Sequence, residues 1–168
     1  MTISMYQASI PVFQNRLNAL SQILAKAAED ADARKIDPQV FLTARLAPDM
    51  FTLTRQVQIA TDHAKAAPSR LAGREMLRYE DNEGTFAELR ARIVKTLQHL
   101  EGFAPGDIDG SEERAIELKI GGREMSLTGQ HYLLNIAMPN FYFHVTTAYA
   151  ILRHNGVALH KSDFIGGI

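Results

Sequence analysis

The chain contains no cysteine. Disulfides, zinc–thiolate sites and cysteine nucleophiles are thereby excluded. It has no run of about 18 uninterrupted apolar residues, so no membrane span is expected. Neither sign of charge dominates: 18 Lys and Arg stand against 19 Asp and Glu, for a net charge of -1. That balance argues against a nucleic-acid groove and against attraction to an anionic membrane. No glycine-rich phosphate loop, nucleophile elbow or H-E-x-x-H pattern occurs, and there is no internal repeat. The first residues, MTISMYQASI, lack a basic region followed by a sustained apolar run, so no signal peptide is expected and a cytoplasmic protein is.

What is present is enough apolar material for one core. The 168 residues are 46% apolar and 22% charged, which fits a single domain spanning 1–168. The organising stretch is Thr128 to Gly156, TGQHYLLNIAMPNFYFHVTTAYAILRHNG. Leu133, Ala137, Asn140, His144, Thr147 and Ile151 recur at helical spacing, and the series Ile136, Phe143, Ala150 and Leu134, Phe141, Ala148 are apolar too. A helix apolar on most sides is expected to be buried against several partners. Pro139 lacks an N–H and would clash with the Asn135 carbonyl, so a kink is expected there. Thr128 is a candidate N-cap and Asn155-Gly156 a candidate stop.

Three further long helices precede it. Residues 4–30 carry the stripe Tyr6, Ile10, Phe13, Leu17, Leu20, Leu24 and Ala27, with Pro11 placing the start near Ile10 or bending the first turns. The polar run from Glu29 to Lys35 is expected to fray into a loop, and Asp37-Pro38 to start a short turn through Leu42. Pro48-Asp49 is expected to open the second long helix, with the core stripe Met50, Leu53, Val57, Ala60, Ala64 and Ala67. Gln58 and Asp62 form a polar line beside it, with His63 adjacent, and Pro68 ends or bends the helix. Residues 69–84 are expected to be a surface connection. Thr85 to Glu88 is a capping box that starts the third, with Phe86, Leu89, Ile93, Leu97 and Leu100 buried and Gly102 as its stop.

Residues 103–113 are expected to be a solvated acidic loop. Asp107 and Asp109 suggest calcium spacing, but Glu112 stands where a calcium loop needs glycine. A hairpin follows. Gly121-Gly122 form a two-residue turn that pairs Lys119 with Glu124, Leu118 with Met125 and Ile116 with Leu127. Two strands alone are marginal, so the hairpin's apolar face is expected to cover the end of a helical core. The sum is an all-α fold, a four-helix bundle with a small β-hairpin between the third and fourth long helices.

The candidate chemistry lies at Asn140 and His144, four apart and on one helix face. One reading makes them part of a metal or catalytic centre completed from the second long helix. The other has them satisfy each other, or kink-freed carbonyls, inside the bundle. Asn140 offers a neutral, hard oxygen and is a poor transition-metal ligand. Tyr6, like Tyr142 and Tyr149, reads as a core or pocket-lining aromatic. His99, His131 and His160 read as surface residues.

PNFYFH, running into TTAYAILRHNG and a tail KSDFIG, resembles an uncharacterised bacterial family grouped with the DinB-like (YfiT-like) metalloenzyme superfamily. The resemblance covers essentially the whole chain. It implies a homodimer and, in several members, a divalent-metal site of one histidine from the second long helix and an H-x-x-x-H pair from the fourth. On this sequence His144 matches the second histidine of that pair and Asn140 stands in place of the first; His63 or Asp62 would supply the remaining ligand. Three functions follow as expectations. The first is a small-ligand binder between the second and fourth long helices, with a degenerate metal site and a pocket drawn from Asn140, His144, Asp62, Gln58 and Tyr6. The second is a zinc- or nickel-dependent enzyme, a thiol-dependent transferase or isomerase, using His144, His63 and Asp62. The third is a structural dimerisation module.

Overall fold

The computed structural model describes residues 3–166, so the expected domain extends two residues beyond it at each end. Four long helices dominate: α1 (Ile10–Arg34), α3 (Leu53–Leu71), α4 (Phe86–Glu101) and α7 (Met138–His154). Shorter elements are α2 (Pro38–Leu42), α5 (Pro105–Ile108), α6 (Gly129–Tyr132) and α8 (Lys161–Ile165). The hairpin strands β1 (Ala115–Ile120) and β2 (Arg123–Thr128) lie between α5 and α6. Helix α3 packs against both α4 and α7, and α1 also meets both of them. The α3–α7 pairing is the most extensive between helices, and α3 brings the small buried residues Ala60, Ala64 and Ala67 to the core. No described helix is long and apolar enough to cross a membrane.

Helix α1 starts at Ile10 with Pro11 in its first turn, where a missing N–H costs nothing. It outlasts its expected end. Ala31 is fully buried and continues the Leu24–Ala27 stripe, Arg34 pairs with Asp30 at 2.7 Å one turn earlier, and Lys35 closes the helix in the left-handed conformation at φ 57°. Helix α3 starts later than expected, at Leu53. The Thr52 hydroxyl accepts the Arg55 N–H and so caps it, while Pro48-Asp49 lies in the preceding turn. Pro68 does not end α3, which runs on to Leu71, and Pro68, Ser69 and Leu71 are all buried. Thr85 and Glu88 cap α4 as a reciprocal box: the hydroxyl accepts the Glu88 N–H at 3.1 Å.

Pro139 is absorbed without a break. Residues Leu133–Ala137 form a π-helical turn, and α7 continues directly from it with Pro139 in its first turn. A π turn widens the hydrogen-bond step to five residues, which makes room for a residue that cannot donate. Helix α7 is not buried on all sides: Phe141, Val145, Ala148, Ile151 and Leu152 face the core, whereas Leu134, Tyr142 and Phe143 are exposed. Phe13 of α1 meets Phe141 edge-to-face, with ring centroids 4.9 Å apart.

The hairpin has the expected register, Lys119 opposite Glu124, Leu118 opposite Met125 and Ile116 opposite Leu127. Its apolar face is only partly covered: Ile116 is buried, Leu118 and Leu127 are half-buried, and Met125 is exposed. The acidic loop is largely exposed, as expected, but is also tied down. Asp107 pairs with Arg74 at 2.6 Å and caps α5 by accepting the Ala104 N–H, and Asp109 accepts the Tyr6 N–H at 2.8 Å. The tail forms α8, which packs on α1 through a Lys26–Asp163 ion pair and sets Phe164 against Tyr149.

One glycine is required by proximity. A Cβ on Gly129 would lie 2.1 Å from the Ser111 carbonyl oxygen, where the hairpin's exit passes the preceding loop. Gly106 in α5 has nothing within 4 Å of the same position. Gly129→Ala should therefore lower unfolding stability by about 3 kcal/mol, because a backbone segment must move. Gly106→Ala should raise it by about 0.5 kcal/mol through the unfolded chain's lost freedom. Urea denaturation of both variants checks the contrast, and equal effects would contradict the close approach.

Candidate functional site

Helix α3 carries two polar lines. Gln56, His63 and Arg70 are seven residues apart and so fall on one face. Arg55, Gln58, Asp62 and Lys65 form the other, turned toward α4 and the connection between α3 and α4.

The second line is consumed by ion pairing. Arg92 of α4, with a side chain 2% exposed, donates to the Thr61 hydroxyl at 2.7 Å and pairs with Asp62 at 2.8 Å. It also pairs with Asp81 and Glu83 at 3.0 Å each and donates to the Glu80 carbonyl. Lys65 also pairs with Asp62. Gln58 donates to Glu83 at 2.8 Å and accepts from Arg55. Tyr79 lies against this cluster, its ring flanked by Lys65, Arg92 and Lys95 within 5.0 Å.

The first line meets α7. His144 is 8% exposed, and its Nδ1 lies 2.6 Å from Gln56 Oε1. The Gln56 amide nitrogen donates to the Phe51 carbonyl at 3.2 Å, which leaves its oxygen to accept. Nδ1 of His144 must then carry the proton, and Nε2 is the basic nitrogen. His63 stacks on His144 with centroids 6.0 Å apart and planes 13° from parallel. Burial holds the His63 imidazolium below its usual range, opposed by Asp62 and reinforced by Arg70 and Lys65. Asn140 is not hydrogen-bonded to His144. Its amide nitrogen donates to the Ile136 carbonyl at 2.7 Å, one turn back at the π-helical segment.

Beside these residues lies a cleft of about 280 Å³. His63, Arg70, Lys119, Tyr132 and Asn140 bring polar groups to it, and Leu118 and Ile136 supply apolar walls. Arg70 donates to the Tyr132 hydroxyl at 2.9 Å and lies over that ring. Burial raises the Tyr132 phenol's pKa against the opposing pull of Arg70. A larger cleft of about 520 Å³ shares His63 and Arg70 and continues over Asp62, Lys65 and Tyr79.

Of the five expected pocket residues, only Asn140 lines the smaller cleft. His144 lines neither cleft, Asp62 lines the larger one while held by Arg92 and Lys65, Gln58 belongs to the ion cluster, and Tyr6 packs half-buried at the start of α1. The expected metal residues are divided in the same way. His63 and His144 meet, but nearly parallel stacked rings direct their in-plane lone pairs side by side and not onto one ion. Asp62 is neutralised by two cations, and Asn140 offers only a neutral amide oxygen, a poor transition-metal ligand. Among the described residues no group of three or more His, Asp or Glu side chains is placed to hold a metal ion. The residues present do not fit the three-ligand set. Sequence reasoning missed Gln56, Arg70 and Tyr132; the seven-residue recurrence of Gln56, His63 and Arg70 was the available signal. His99, expected at the surface, is half-buried against Phe103, its Nε2 3.1 Å from the Ser69 hydroxyl.

The His144 environment has a pH signature. Burial, with positive charge from His63 and Arg55 behind it, lowers its pKa to about 4. In the unfolded chain the value returns to about 6.5, so the unfolded state takes up the proton first as pH falls. The stabilisation is complete above about pH 6.5 and is lost between there and about pH 4, an effect of roughly 3 kcal/mol. Urea unfolding at pH 7 and pH 4.5 should show this fall in the wild type and a shallower one in His144→Gln. An NMR titration placing the His144 pKa near 6.5 would refute the assignment.

The comparisons agree with this architecture. A family model described as a domain of unknown function, DUF1993, matches residues 5–165. The crystal structure of a DinB family member protein from Shewanella denitrificans superposes with a TM-score of 0.89 at 42% identity, covering 97% of this chain and 92% of that one. No curated protein matches this chain. With nearly its whole length matched by that family model, the chain belongs to the DUF1993 family and is DinB-like.

Proposed function

We propose that this protein is a DinB-like four-helix bundle that binds a small ligand between α3 and α7 without a resident metal. The supporting observation is the cleft of about 280 Å³ at which polar groups of α3, β1, α6 and α7 converge. Convergent polar groups in a concave site with apolar walls are the usual form of a small-molecule site. The His63–His144 pair behind it is held neutral by burial, so His63 can accept a hydrogen bond or a proton from a ligand. The metal-dependent transferase or isomerase reading is the weaker one, because His63, His144, Asp62 and Asn140 do not present converging free donors. A screen of metabolite mixtures by ¹H–¹⁵N NMR should move resonances of His63, Tyr132 and Asn140, and EDTA should not reverse the effect. A response that requires added zinc or nickel would overturn the metal-free reading.

We also propose a cytoplasmic homodimer. Leu134, Tyr142 and Phe143 leave apolar surface on and just before α7, of the kind a second copy would cover. Sedimentation should show a dimer at micromolar concentration, and Phe143→Glu should shift it toward monomer. A wild-type protein that stays monomeric throughout that range would end the proposal.

A further inference from the structure

We infer that the ligand of the smaller cleft is a small carboxylate that also carries a hydroxyl or amino hydrogen-bond donor. The inference rests on the small-ligand reading and assigns the ligand's chemistry.

The charge at the cleft has one sign. Arg70 reaches it from α3 and Lys119 from β1, and no Asp or Glu lines it. Among the described residues neither cation forms an ion pair. The neighbouring acids are engaged or lie elsewhere: Asp62 is held by Arg92 and Lys65, and Glu75 and Asp81 line only the larger cleft. Two cations from separate elements of the fold, neither of them in an ion pair, thus face one cavity, with Glu124 opposite Lys119 across the hairpin.

The cations differ in how they are held. Arg70 is anchored, with one Nη donating to Tyr132 and the guanidinium lying over that ring at 5.5 Å. Its remaining N–H groups have no protein acceptor among the described residues. A guanidinium fixed along one edge and free along the other is arranged for two parallel bonds to a planar carboxylate. Lys119 is exposed on the hairpin and adds a second charge. Phosphate is the poorer fit. Its sites draw on backbone N–H groups at helix N-termini or glycine loops, whereas Arg70 stands in the last turn of α3 and no glycine lines the cleft.

Asn140 and His63 supply acceptors to the same cleft. The Asn140 amide nitrogen is committed to the Ile136 carbonyl, so its oxygen is the end left to accept. His63, disfavoured as a cation by burial, contributes a second acceptor. Two acceptors in a cavity that also holds two cations call for a ligand that carries both a carboxylate and an O–H or N–H. Leu118 and Ile136 offer apolar contact to its carbons, and the volume limits the ligand to a small metabolite.

Lactate, propionate, neutral lactamide and inorganic phosphate, compared at constant ionic strength by NMR titration, test this. Lactate should move His63, Tyr132 and Asn140 resonances, propionate should bind about tenfold more weakly, and lactamide and phosphate should leave the cleft unchanged. Lys119→Gln, a change on an exposed hairpin residue, should weaken lactate about tenfold while leaving the hairpin amide resonances in place. Lactamide binding in the cleft as tightly as lactate would overturn the carboxylate assignment and leave the small-ligand reading intact. Phosphate binding alone, or lactate binding unaffected by Lys119→Gln, would likewise overturn the assignment. Silence of the cleft toward every probe would overturn the carboxylate assignment, and the small-ligand reading falls with it only if the metabolite screen is silent too.

Discussion

The structure depends most on one buried guanidinium. Arg92 lies at the α3–α4 interface with a side chain only 2% exposed, and a charge so placed costs several kcal/mol unless it is neutralised and hydrogen-bonded. Asp62, Asp81, Glu83, the Thr61 hydroxyl and the Glu80 carbonyl together meet that demand. Two consequences follow. The irregular connection between α3 and α4, which has no ladder of its own, is fastened at residues 80–83. Asp62 is also turned toward Arg92, although it directly precedes His63 in sequence.

That division of α3 decides what the site can do. One polar line is spent on structure, and the other, Gln56, His63 and Arg70, faces α7 and the cleft. The Phe51 carbonyl orients Gln56, Gln56 orients His144, and His144 stacks on His63. A buried relay of this kind fixes a tautomer and keeps both rings neutral near neutral pH. It holds a proton acceptor at the cleft wall and leaves no converging set of metal donors. A helical framework shared with a DinB family structure does not by itself fix the chemistry here, which depends on the polar side chains that meet at the site.

Much of the secondary structure was legible because its causes are local. The capping box at Thr85–Glu88, the stripe from Ile10 to Ala27, and the Gly121-Gly122 turn with its charge-paired register each rest on residues a few positions apart. Helix ends were legible only where the cap was local. The start of α3 was misplaced because Pro48-Asp49 and Thr52 offer competing starts, and only packing selects between them. The end of α1 was misplaced because the burial of Ala31, which extends the helix through a polar run, depends on neighbouring elements.

By itself the sequence determined the helical class, the hairpin and its pairing, the placement of His144 on an inward face, and the exclusion of chemistry on a cysteine side chain. Periodicity and composition carry those facts without reference to any distant residue. Only the tertiary structure decided which polar side chains meet. Asp62 with Arg92 spans 30 residues, Gln56 with His144 spans 88, and Arg70 with Tyr132 spans 62. A pairing over such separations is set by how helices dock, and docking is set by the summed burial of many apolar residues, none of which names its polar neighbour. For the same reason Gly129 could not be read as indispensable: its Cβ is forbidden by a carbonyl of a loop that only the folded chain brings beside it.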